Sequence, residues 1–193
     1  MLRKRVSQMN KKITNRKLIA AYGKLLKKGS DKITVSLLCE KADVARATFY
    51  NNYKDLDSFV EELHNYIIRL FFEQATYFMS CNDMEFNKAV KKENLLLNEY
   101  ELIILNCMVG GSNYMDFAMR ADSYYLDEQR GSIFPNEIRE QYKDVVDIFT
   151  RGYFPILIFA LLEYNEVSLK RDIYNCRVLF KALREDIYSN LKI

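Results

Sequence analysis

Chain-breaking residues are what this sequence has least of. Six glycines and two prolines occur among 193 residues, and no stretch alternates Val, Ile and Thr at strand spacing. Scarce breakers with abundant Leu, Lys, Glu, Ala and Ile predict long helices joined by short loops, so the fold class is read as all-α. Histidine is nearly missing, with His64 alone, and the four cysteines, Cys39, Cys81, Cys107 and Cys176, stand far apart. A zinc site needs clustered thiolates or imidazoles, so no metal is expected. No glycine-rich phosphate loop occurs, and no cofactor is expected. Thiols without an adjacent base or resolving partner fit small apolar fillers in a reducing compartment better than redox sensors. The longest apolar run, Phe154 to Leu162, has nine residues, against about 20 needed to span a bilayer. The segment Met1 to Lys12 is basic but has no apolar stretch of a signal peptide. A soluble, cytoplasmic chain with no membrane partner is expected.

What is present is a core-forming composition and a divided charge. Hydrophobic residues make up 49% of the chain, which excludes wholesale disorder. The net charge of +3 conceals two opposite regions. Residues 1–54 carry 14 Lys/Arg against 3 Asp/Glu, a net of +11, while residues 55–193 carry 15 against 23, a net of −8. A basic head on an acidic body is what a nucleic-acid binder looks like when one end alone meets phosphate. The expected division is therefore a head over 1–54, including a basic arm over 1–12, and a body over 55–193.

Periodicity and caps place the helices. Leu18, Ile19, Tyr22, Leu25 and Leu26 recur at three- to four-residue spacing, predicting a helix from a Thr14 cap to Lys28, stopped by Gly29. Thr34 caps a second helix through Ala42. A turn at Asp43-Val44 leads into a short third helix from Arg46 to Asn51. Asp55 then opens a long helix reaching about Ser80, roughly 39 Å at ~1.5 Å per residue. Asn82-Asp83, Gly110-Gly111-Ser112, Gly131-Ser132 and Asn165-Glu166 mark later breaks, between which 84–109, 113–129, 135–164 and 168–191 are apolar-periodic. Pro135 suits the first position of the penultimate helix. Pro155, inside the same stretch, is expected to kink or divide it.

Two short helices with a tight turn after a packing helix make a helix-turn-helix, in which the second helix lays its N-terminal side chains on base edges. Here Arg46, Ala47 and Thr48 would face outward and Val44 and Phe49 inward. Over residues 14–60 the chain resembles the TetR family of transcriptional regulators (TetR/AcrR type). The likeness rests on the Thr34-capped helix, the turn before Val44, Thr48-Phe49-Tyr50 on the third helix, and Tyr53 leading into an acidic helix start. It implies that Thr34 meets a phosphate with help from the helix dipole. It likewise implies that Arg46 reads a guanine edge, that Thr48 touches base or phosphate, and that the Tyr50 hydroxyl donates to phosphate. Ala47 and Asn51 share that helix. Asn52 stands where many relatives carry a histidine that meets the backbone.

Three positions depart from the family pattern. Asp43 replaces the turn glycine, which Asp tolerates because it can adopt positive φ. Ala45 opens the third helix without a side-chain cap. Leu56 stands where most relatives have a lysine, which leaves Lys54 to supply that phosphate charge. The basic arm, Arg3-Lys4-Arg5 with Lys11-Lys12, is either a disordered solubilising end or an arm for the minor groove.

No catalytic constellation stands out beyond residue 60, and the chain is not expected to be an enzyme. Glu61-Glu62 and Asp127-Glu128 are sequence neighbours and diverge on a helix. The body is rich in Tyr, Phe and Met, and Phe72, Met79, Tyr100, Met108, Phe117, Tyr124, Phe149 and Tyr153 are candidates to line a ligand site. The resemblance implies that the last two helices pair with those of a second copy. Phe154, Ile158 and Leu162, with Ile173, Phe180 and Ile187, are the candidate seam. A homodimer would set two third helices about 34 Å apart on a palindromic operator. An apolar or aromatic effector, entering the body, would release a repressor from double-stranded DNA. The alternative keeps the DNA-binding fold and places it under a partner protein.

Overall fold

The computed structural model describes residues 2–30, 32–110, 116–117, 119–121 and 142–191. Among them the regular elements are all helical: α1 (Leu2–Lys27), α2 (Val35–Ala42), α3 (Arg46–Tyr50), α4 (Leu56–Ser80), α5 (Asp83–Ala89), a 3₁₀ turn (Lys92–Asn94), α6 (Glu99–Val109), α7 (Lys143–Leu162) and α8 (Glu166–Leu191). The fold is all-α. The chain forms two compact units, residues 1–68 with 97–118, and residues 69–96 with 119–193.

In the first unit α1 begins at Leu2, so Thr14 is interior and not a cap, and the basic segment is helical rather than irregular. The reason is local: no Gly or Pro stands before Gly23, and Lys, Arg, Gln, Met and Leu all favour helix. The end of α1 falls where expected. Gly29 takes φ +67°, the Gly29 amide donates to Leu26 O at 2.9 Å and Ser30 N to Leu25 O at 3.3 Å. Leu18, Ala21 and Leu25 are buried on one stripe. α6 lies against α1 at very short range. A Cβ on Gly23 would stand 2.8 Å from the Tyr100 Cβ, Lys27 Nζ is 2.5 Å from Glu99 Oε1, and the Lys24 ammonium sits 5.3 Å from the Tyr100 ring centre.

α6 has its own start signal. Asn98 accepts from Tyr100 N and Glu101 N, and Glu101 Oε2 accepts from Asn98 N at 2.8 Å. The other carboxylate oxygen of this buried residue accepts from Tyr66 OH at 2.9 Å, so α4 and α6 are joined by a satisfied polar contact.

The later segments differ from expectation in one respect. The apolar stretch 84–109 is not one helix: it covers nearly all of α5, the 3₁₀ turn and the whole of α6. Both helix starts are Asn-x-x-Glu boxes, Asn82 with Glu85 and Asn98 with Glu101, which satisfy the first free amides and stop each preceding segment. Pro155 lies inside α7 without dividing it. Pro135 falls outside the described residues. The Asn165 side chain accepts from Val167 N and Ser168 N, opening α8 at the expected break.

Phe71, Phe72 and Phe154 form the aromatic centre of this unit, the closest ring pair being Phe72 and Phe154 at 4.6 Å. Tyr153 OH donates to Ala75 O at 3.1 Å from full burial, which pushes that hydroxyl's pKa well up. Arg177 of α8 ties down the α4–α5 corner. Its guanidinium donates to Phe78 O and to Cys81 O at 2.7 Å, meets Asp83 Oδ1 at 3.1 Å, and lies 4.7 Å from the Phe86 ring centre. A cation thus closes the carbonyl end of one helix while pairing with the acidic start of the next.

Candidate nucleic-acid interface

α2, its following turn and α3 are set by short-range signals. Thr34 is extended at φ −121°, and its Oγ1 accepts from Leu37 N at 3.2 Å, which caps α2. That bond uses a lone pair of the hydroxyl oxygen and does not use its proton. α2 ends at Asp43, which adopts φ 51° and ψ 54° in place of a glycine. Val44 N then donates to Cys39 O at 3.0 Å and Asp43 N to Glu40 O at 3.2 Å, closing the last turn. Ala45 provides no side-chain cap for α3, as expected.

α3 has two unlike sides. Phe49 is wholly buried, with ring centres 5.3 Å from Tyr53 and 6.0 Å from Phe59, and Tyr53 and Phe59 meet edge-on at 5.1 Å. This cluster anchors the five-residue helix, which is too short to be stable by itself. Burial, aided by Glu62, pushes the Tyr53 hydroxyl up to about 12. Arg46, Ala47, Tyr50, Asn51 and Lys54 are exposed, Tyr50 by 56%, while Thr48 and Asn52 are half-buried. Thr34 is exposed at the start of α2.

Two of these side chains are partly engaged within the chain. Arg46 Nη1 donates to Ser36 Oγ at 3.3 Å, holding the guanidinium across to α2. Asn52 Nδ2 donates to Thr48 O at 2.8 Å, which commits one of its amide protons to α3 itself. The surface so formed presents a guanidinium, a phenol, amides and an ammonium group. Those are donors suited to base edges and phosphate oxygens.

The ligand candidates that are described fall in both units. Phe72, Met79 and Tyr153 are buried in the second unit. Tyr100 lies against α1, Tyr124 is outside the described residues, and Phe149 lies on α7 with its side chain outside them. Among the described residues, Met108 and Phe117 meet at a cavity. It measures about 330 Å³, lies within the first unit, and is lined by Tyr22, Leu26, Val60, His64, Ile104, Cys107, Met108, Asp116 and Phe117. α1, α4 and α6 supply most of that wall, so no single stretch of sequence announces it.

The seam candidates lie on α7 and α8. Phe154, Ile158, Ile173 and Phe180 are buried inside the chain's own second unit, and Leu162 is half-buried. Ile187 lies on α8 with its side chain outside the described residues. Among the described side chains of α7 and α8, these four buried candidates pack within the unit. Ile156 and Phe159 on α7, and Val167, Tyr174, Val178 and Leu179 on α8, remain exposed.

Of the cysteines, Cys39, Cys81 and Cys176 are buried, whereas Cys107 is exposed at the cavity and is no core filler. Among the described residues no group of three His, Cys, Asp or Glu side chains could hold a metal ion. No helix among them is long and apolar enough to cross a membrane. Comparison with protein-family models, with curated proteins and with solved structures finds no match to this chain.

Proposed function

We propose that the chain is a DNA-binding transcriptional regulator, a repressor that reads a palindromic operator as a homodimer. The observation that carries this reading is the two-sided α3: Arg46, Ala47 and Tyr50 face solvent while Phe49 is clamped beneath them. α2 would brace on the backbone through Thr34, α3 would lie in the major groove, and Arg46 would grip a guanine edge. Tyr50, Asn52 and Lys54 would contact phosphates, with Thr48 on base or phosphate. The net +11 of residues 1–54 supports it, since phosphate neutralisation supplies much of the affinity.

The dimer would form through the exposed stripe of α7 and α8, from Ile156 and Phe159 to Val178 and Leu179. Two-fold symmetry would then hold the α3 helices about 34 Å apart. An effector that changes this spacing would lower operator affinity and restore transcription. The same stripe favours the second reading, in which a protein partner docks there and governs the regulator.

Selection of duplexes from a random pool, followed by fluorescence anisotropy, tests the proposal. The enriched duplex should be palindromic, and Arg46→Ala should weaken it by roughly 10- to 100-fold. Absence of enrichment from any pool sinks the DNA-binding role. Light scattering of Phe159→Asp should report a monomer if the stripe is the dimer seam, and retention of the native mass assigns the seam elsewhere.

A further inference from the structure

We propose that the cavity between α1, α4 and α6 is an effector site for a small aromatic amine, and that its occupancy acts on α3 through the ring contacts of Tyr22, Phe59 and Phe49. The coupling half rests on the DNA-binding reading above; the binding half does not.

Size and lining define the ligand class. At about 330 Å³ the cavity stands at the small end of ligand sites, enough for a one- or two-ring molecule. Its walls at Leu26, Val60, Ile104, Met108 and Phe117 are apolar, and Ile104, Met108 and Phe117 are buried. Polar groups gather as Tyr22, His64, Cys107 and Asp116. Burial and the neighbouring Cys107 raise the Tyr22 hydroxyl, which therefore stays protonated as a donor. Among the described lining residues the fixed charge is the Asp116 carboxylate, exposed at the rim. An apolar body with a cationic head matches that arrangement.

The path to α3 is short. The Tyr22 ring meets Phe59 edge-on at 5.8 Å, and Phe59 meets both Phe49 of α3 and Tyr53, three residues beyond that helix. Phe59 and Val60 are consecutive on α4, one under α3 and the other in the cavity wall. A packed interior transmits such a shift because it does not deform continuously. A ligand that displaces Tyr22 must move Phe59, and with it the seat of Phe49. Everything involved lies inside the first unit.

Calorimetry of the full chain with 1-naphthylmethylamine, 1-naphthalenemethanol and 1-naphthylacetate tests the site without DNA. The amine should bind best, Val60→Phe should abolish its binding by filling the cavity, and Asp116→Asn should cut its advantage over the alcohol by about tenfold. Saturating amine should weaken the enriched duplex by between about 5- and 150-fold, an effect lost in Val60→Phe. No heat with any of the three compounds overturns the site, as does amine binding that Val60→Phe leaves unchanged. Equal binding of all three overturns the ligand class. Amine binding with unaltered duplex affinity overturns the coupling, and failure to bind any duplex counts against the DNA-binding reading alone.

Discussion

Gly23 and Tyr100 touch so closely that a methyl group cannot be placed between them: a Cβ at position 23 would lie 2.8 Å from the Tyr100 Cβ, 3.1 Å from its carbonyl oxygen and 3.2 Å from its Cα. Gly23→Ala should therefore push α6 off α1 despite the better helix propensity of alanine, costing about 1–3 kcal/mol. Because the clash is with Cβ and backbone, Tyr100→Ala should not rescue it. Urea unfolding of both single variants and the double variant checks this, and a rescued double variant would contradict the geometry.

Arg177 is 13% exposed and serves two carbonyls, a carboxylate and a ring at once. Arg177→Met should cost about 3 kcal/mol, since the α4 carbonyls lose their charged donor. Asp83→Asn should cost less than about 1 kcal/mol, because that carboxylate is 79% exposed. Comparable losses in thermal melting would mean that the ion pair, not the helix cap, dominates.

The left-handed conformation of Asp43 predicts opposite outcomes for two replacements. Asp43→Gly should be neutral or stabilising by up to about 1 kcal/mol, and Asp43→Val should destabilise by about 1–2 kcal/mol. The exposed contact with Lys17 should matter little, and chemical denaturation measures both replacements.

Tyr53 gives the first unit an alkaline limit. Its hydroxyl is raised from 10.0 to about 12 in the fold, so the unfolded chain ionises first as pH rises. The stability it secures is complete below pH 10 and should fall away between 10 and about 12. Tyr53→Phe should flatten that part of the stability profile, followed by circular dichroism with tyrosinate absorbance as the monitor. An unchanged alkaline limb would place the Tyr53 hydroxyl in contact with water.

Arg46 and Lys54 should differ in kind if the DNA-binding proposal holds. Arg46→Ala should relax base preference at one operator position, whereas Lys54→Ala should weaken all duplexes alike and lower the salt slope by about one. Ser36→Ala should reproduce a fraction of the Arg46→Ala loss, since Ser36 Oγ holds the guanidinium. Competition binding across salt concentrations separates these outcomes.

Signals held within a few residues were legible in the chain. The Thr34 cap, the Gly29 stop, the left-handed Asp43, the buried Phe49 and the Asn165 start each follow from a residue and its nearest neighbours. One local box was nevertheless hidden by composition, because Leu95-Leu96-Leu97 ahead of Asn98 reads as continuous helix. Long-range packing was not legible. Periodicity shows that α7 and α8 each have an apolar stripe, but not that Phe154, Ile158, Ile173 and Phe180 spend theirs inside the chain. The cavity needs Tyr22, His64 and Cys107 brought together from three helices, and nothing in their spacing predicts that meeting.

The first unit is assembled from two separated pieces of sequence, 1–68 and 97–118. During synthesis at about 5–20 residues per second, the α1 surface at Gly23 emerges well before Tyr100, the residue that covers it. The amino-terminal unit therefore cannot finish on the ribosome until its distant second piece is made. A fragment cut at residue 68 should be released with that surface bare, so any transplant of this unit into another protein has to carry residues 97–118 with it.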